Sequence, residues 1–185
     1  MRARLVPAAA LVAALALSGC NDDGGASAKD PDTPTSQGST SQPTADAADG
    51  PVLERPGFAV HAPDGWELDE AFSNDTIVQA KSSAMFPAQI SVGIVPKTVG
   101  SLDDVAASSL ESLRGQSPKA RRLADGELGG EAAYHLGGPV PSMGRVEEYG
   151  LVHGTDQVYI QFQLGGSAAE RQAVIDAVLA SWEWK

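Results

Sequence analysis

The chain is short of most residues from which active sites are assembled. It has one cysteine, Cys20, and three histidines, His61, His135 and His153, in 185 residues. One cysteine cannot close an intrachain disulfide, so the fold must hold by its core alone. The histidines lie far apart, with none of the close spacings of a zinc site, and read as half-buried strand residues. Aromatics make up 5% of the chain, thin provision for a catalytic cleft that stacks its substrate. Lys and Arg number 13 against 24 Asp and Glu, a formal net charge of −11. That balance excludes a nucleic-acid partner, whose phosphates need a positive face. It also argues against lying flat on anionic lipid, and surplus acid serves to keep a domain soluble. No serine stands in a Gly-x-Ser-x-Gly elbow, and no Gly-Lys-Ser/Thr follows a strand to cradle phosphate. Paired carboxylates, whose spacing is three-dimensional, are the catalytic device that the sequence leaves open.

Long apolar runs are nearly missing as well. The exception follows Arg2 and Arg4: Leu5 to Leu17 is an almost unbroken series of Leu, Val and Ala, the charged and apolar regions of a secretory signal. Leu5 to Gly19 falls short of the roughly 20 residues that span a bilayer, and Pro7 interrupts it. Leu17-Ser18-Gly19-Cys20 resembles the lipobox of bacterial lipoproteins, in which the cysteine sulfur takes a diacylglyceryl group and becomes the first residue of the mature protein. The resemblance implies a lipoprotein signal peptide over residues 1–19 and lipidation at Cys20. The covalent diacylglycerol then stands where a cofactor otherwise would, and the chain is held on the extracytoplasmic face of a cell membrane. Two acyl chains anchor stably where one anchors marginally. With Cys20 so consumed, zinc–thiolate sites and cysteine catalysis are excluded too. After Cys20, residues 21–50 are built almost wholly of Gly, Ser, Thr, Pro, Ala, Gln and Asp without apolar periodicity, so that 20–50 read as the lipidated cysteine and a disordered tether. A flexible chain of that length spans about 30 Å.

Residues 51–185 read as one globular domain. Phe58 and Val60 alternate, Pro63-Asp64-Gly65 turns, and Trp66 and Leu68 continue the period. Thr76 to Lys81 and Gln89 to Val95 are strands, the second with Ile90, Val92 and Ile94 on one face. Ser101 caps a helix in which Leu102, Val105, Ala106, Leu110 and Leu113 recur at helical spacing, closed by Gly115. Arg121–Ala124, Ala132–Leu136, Arg145–Val152 and Gln157–Leu164 follow as strands, divided by Gly129-Gly130, Gly137-Gly138-Pro139 and Gly154-Thr155-Asp156. Short turns predict antiparallel pairing. Ser167 and Glu170 form a capping box opening a last helix with an apolar stripe of Val174, Ile175, Val178, Leu179 and Trp182.

This order of pieces resembles PsbP/Mog-type domains: a strand into Pro63-Asp64-Gly65-Trp66, a Gly129-Gly130-Glu131-Ala132-Ala133-Tyr134 return, and a last helix ending Ala180-Ser181-Trp182. More narrowly it resembles the LpqN/LpqT-type actinobacterial lipoproteins. The resemblance implies an α+β fold, an antiparallel sheet of about six strands flanked by helices in an α/β/α sandwich. It implies binding or assembly modules with no shared activity or functional residue. Two long helices, placed to cover one face, leave Tyr159, Gln161, Gln163, Gln89 and Ser91 as a half-open polar face for a ligand or partner. The expected function is a non-catalytic accessory module, joined to the membrane by lipid and serving an envelope protein or transport component. A binder of lipid or another apolar small molecule would need a cavity. A cell-envelope hydrolase would show a cleft with a perturbed carboxylate or histidine beside a nucleophile. Arg114, Lys119, Arg121 and Arg122 form one basic cluster, fit for a phosphate-bearing wall polymer or an acidic protein face. Asp64, Glu67, Asp69, Glu70 and Asp75 crowd one loop without EF-hand order and read as solvated acids.

Overall fold

Alternating strands joined by tight glycine turns account for most of the molecule. The computed structural model describes residues 45–85 and 87–185; the apolar leader, Cys20 and the spacer as far as residue 44 lie outside the described residues. The elements run β1 (Val52–Arg55), β2 (Phe58–His61), β3 (Glu67–Leu68), β4 (Ile77–Lys81), β5 (Ala88–Val95), α1 (Leu102–Arg114), β6 (Arg121–Arg122), β7 (Gly126–Leu128), β8 (Glu131–Pro139), β9 (Arg145–His153), β10 (Asp156–Leu164), α2 (Ala168–Ala180) and β11 (Glu183–Trp184). The main sheet has the order β3-β4-β5-β10-β9-β8-β6, with β7 paired onto β8; β1-β2-β11 form a small second sheet. Every pairing is antiparallel. The architecture is α+β, as the turn spacing requires. Gly129 and Gly130, at φ +56° and +82°, link β7 to β8 through the two left-handed positions that a type I′ hairpin needs.

Both helices start on the capping boxes legible in the sequence. Asp104 N–H donates to Ser101 Oγ (3.3 Å) while Ser101 N–H donates to Asp104 Oδ2 (2.8 Å). Glu170 and Ser167 repeat the arrangement at 3.3 and 2.7 Å. Each such pair satisfies two donors that a helix start otherwise leaves bare.

The pleat sorts the main sheet into two cores. Val158, Ile160, Phe162 and Leu164 of β10 join Ile90, Val92, Leu53, Phe58, Ile175, Val178 and Trp182 beneath α2 and the small sheet. Phe58 stacks on Trp182 at 4.6 Å between ring centroids. On the other face Tyr134, Leu136 and Val146 meet Val105, Ala106 and Leu113 of α1.

Four expectations are corrected. The helices lie on opposite faces, as the α/β/α sandwich implies and against the reading that they share one, because the residues of β8 and β9 alternate between two apolar partners. Among the described residues there are eleven strands instead of about six; β1, β7 and β11 are two to four residues long, too short to show a period. Gly137-Gly138-Pro139 continue β8, and the turn comes later, at Pro141 to Gly144. A Cβ on Gly138 would stand 2.4 Å from Ser117 Oγ and 2.7 Å from Ala120 Cα, so this glycine admits a crossing segment, not a bend. Finally, Ala48 N–H donates to the Ala177 carbonyl (2.8 Å) and Gly50 N–H to that of Ala62 (2.9 Å), so the fold begins within the segment whose composition reads as tether.

Candidate functional site

The site is carried by the second face of β10. Gln157, Tyr159, Gln161 and Gln163 alternate with its core residues. Register sets Tyr159 between Gly93 and Gly150, Gln161 between Ser91 and Glu148, and Gln163 between Gln89 and Val146. The five residues picked from the sequence therefore form one patch, all of them half-exposed. α1 packs over β6, β8 and β9, reaches the edge of β10 through Ser109 and, at about 20 Å for 13 residues, leaves β5 and β4 without a helix on this face. Tyr159 lies across Gly93, where a Cβ would stand 2.4 Å from its Cζ.

A groove of about 370 Å³ opens where α1 meets β10. Ser108, Ser109 and Ser112 line it from the helix, and Gln157, Tyr159 and Gln161 from the sheet, with Glu148 as its floor. Glu148 is only 6% exposed. Tyr134 Oη donates to its Oε1 (2.8 Å) and Gln161 Nε2 to its Oε2 (3.0 Å). Gln157 Nε2 reaches both Ser109 Oγ and Tyr134 Oη at 2.9 Å, and those two hydroxyls are 3.0 Å apart. Burial pushes the Glu148 carboxyl above the usual carboxylate range, and hydrogen bonds from Gln161, Tyr134 and Ser109 offset only part of the effect. Burial, reinforced by the charge of Glu148, pushes the Tyr134 phenol well above its ordinary value, so it stays a neutral donor.

No family model matches the chain, and no curated protein matches it by sequence. In three dimensions it is similar to the solution structure of cyanobacterial PsbP (CyanoP) from Synechocystis sp. PCC 6803, with a TM-score of 0.50 and 15% identity over 70% of this chain and 87% of that one. The fold is PsbP-like. A structure from Bacteroides thetaiotaomicron VPI-5482 scores 0.48 at 12% identity, over 74% of this chain and 48% of that one, a likeness too low to add to the reading.

Elsewhere in the PsbP-like domain the sequence candidates separate. Arg122 is taken up by Asp125 (2.8 and 3.0 Å) and Asp103 (2.6 Å), whose hydrogen bonds raise its pKa further. Arg121, one step along the pleat, falls on the opposite face of the sheet. Arg114 turns its Nε toward the Ala120 carbonyl (3.4 Å). The cluster with Lys119 is thus contiguous in sequence but not as a surface. The histidines also stay apart. His61 Nδ1 sits 3.0 Å from the Gly50 carbonyl, His135 stacks on Tyr149 and meets Glu147 at 2.9 Å, and His153 stacks on Trp184 beside Glu131. Burial alone would raise Glu147, yet hydrogen bonds and charge from His135 and Arg145 hold it below the usual range. Asp69 departs from the expected solvated acids: it turns inward, 6% exposed, and pairs with Lys81 at 3.0 Å. Asp64, Glu67, Glu70 and Asp75 are exposed. Among the described residues no group of three or more His, Cys, Asp or Glu is placed to hold a metal.

Sequence reasoning missed Glu148, Tyr134, Ser109 and Gln157. The available signal was parity: Glu148 shares a face with Val146 and Gly150, so an acid stands in a row that α1 covers. Glu148 is the one carboxylate lining the groove, whereas glycoside hydrolysis uses two. Ser109 is bonded to a phenol and an amide, neither of which is a base. The groove offers donors and acceptors in fixed positions.

Proposed function

We propose that this chain is a lipid-anchored, non-catalytic binding module of the LpqN/LpqT type, held outside a cell membrane as an accessory to an envelope protein or transport component. Support for the anchor comes from Leu17-Ser18-Gly19-Cys20 and the spacer that follows. The observation that carries the binding reading is the half of the main sheet that α1 leaves bare, with its five polar residues and the serine-lined groove beside them. The groove is open and mixes Val95 and Tyr159 with serines and amides, whereas the alternative of an apolar ligand would need an apolar enclosure.

The test is site-specific photo-cross-linking of the full chain in intact cells. A cross-linker at Gln161 or Gln89 is expected to capture an envelope component, while one at Glu70, on the exposed first loop, captures none. Equal capture at all three positions, or none at any, would reject the face.

A further inference from the structure

Deepening that reading, and resting on it, we infer that the groove and the bare polar face hold an uncharged, linear glycan chain. The lining settles charge first. Apart from Val95 at its edge its side chains carry amides and hydroxyls, and its single carboxylate, Glu148, has both oxygens engaged by Tyr134 and Gln161. An anionic ligand would meet no cation among these residues and a negative domain around them. A cationic ligand would have to strip the Glu148 hydrogen bonds from a nearly buried site. A neutral ligand rich in hydroxyls matches amides that donate and accept at once; Gln161 keeps one N–H and one lone pair beyond its bonds to Glu148 (3.0 Å) and Gln116 (3.3 Å).

Shape agrees. The Tyr159 ring is laid across Gly93 and half-exposed, leaving an aromatic surface of the kind that packs against the C–H face of a sugar ring. From Gln157 to Gln163 the polar row runs about 20 Å along β10, longer than a disaccharide. It continues past Gln163 into a second hollow of about 210 Å³ bordered by Gln89, Met143 and the Lys81–Asp69 ion pair, whose charges offset each other at 3.0 Å. The strands beneath are paired on both sides, so an extended peptide laid there would find no backbone ladder to join. Gln79, in the same cross-strand row as Ser91 and Gln161, is 5% exposed and its amide nitrogen has no partner among the described residues, an unmet donor beneath the face.

Isothermal titration of the full chain in detergent micelles with N,N′,N″-triacetylchitotriose, maltotriose and N-acetylglucosamine tests this. Chitotriose, a flat and extended ribbon, is expected to bind at least tenfold more tightly than the monosaccharide and more tightly than maltotriose. Tyr159→Ala and Gln161→Ala should each weaken it at least tenfold with far-UV circular dichroism unchanged; should Tyr159→Ala unfold, Gln161→Ala decides alone. Binding that neither variant weakens overturns the site. Absence of heat with all three sugars overturns the glycan assignment. The cellular cross-linker at Gln161 then tells the two readings apart: capture of a protein leaves the binding face standing, and no capture removes both.

Discussion

Glu148 bears a carboxyl where a neutral side chain would be easier to bury, and its raised pKa turns that into a dependence on pH. Because the folded state holds this proton more tightly than the unfolded one, the stability it contributes is complete below the ordinary glutamate value. It is lost as pH rises through the folded-state value. Glu148→Gln keeps an oxygen for the Tyr134 hydroxyl, and Gln161 can turn its own amide to suit. The variant should therefore unfold at higher denaturant than wild type at pH 7, with the difference gone below about pH 4; an equal gap at both pH values in urea titrations would contradict it. Gly150 tests the same site from below, since a Cβ there would stand 2.4 Å from the Tyr134 hydroxyl. Tyr134 is fully buried and fixed by its bonds, so Gly150→Ala is expected to cost about 1–3 kcal/mol. Gly93→Ala should cost less, because half-exposed Tyr159 can swing outward; urea midpoints of the two variants give the ranking. At this scale the sequence was half legible. Alternation placed Tyr159, Gln161 and Gln163 on one face and Gln89 and Ser91 on one face, and pairing of β5 with β10 joined them. The dependence of Glu148 on Ser109 and Gln157, however, arises from how α1 settles on the sheet, which no local pattern encodes.

At the scale of elements, the helices were readable because their ends are written in side-chain chemistry. Ser101 and Ser167 each pair with an acid three residues on. Ser101→Ala and Ser167→Ala are each expected to lower stability by about 1 kcal/mol, measured by chemical denaturation. A change of a few tenths in either would mean that packing of α1 or α2 sets that end instead of its cap. The strands were less readable in two ways. Those of two or three residues exist only because a neighbour offers a ladder, as β11 does through Glu183 opposite Ala59 and Trp184 opposite Phe58. Gly137 and Gly138 carry turn composition yet sit within β8, since the glycine is needed there for the close passage of Ser117 and Ala120. Composition reports that a side chain is missing, and only the packing reveals what uses the space.

The molecule as a whole joins a PsbP-like domain to an N-terminal segment that carries its proposed address. Cys20→Ser is expected to abolish lipid labelling and to release the protein from membranes or leave it unprocessed; retained labelling would overturn the anchor. Fold class was legible at this scale because short turns admit only antiparallel returns. The disposition of the helices was not, since both apolar stripes fit either face until β8 and β9 divide their residues between two cores. Phe58 pairs with Trp184, and Ala88 with Leu164. Such distant closures slow folding. A chain exported as proposed, leaving a narrow pore with its first residues leading, completes neither sheet until β10 and β11 have cleared the exit.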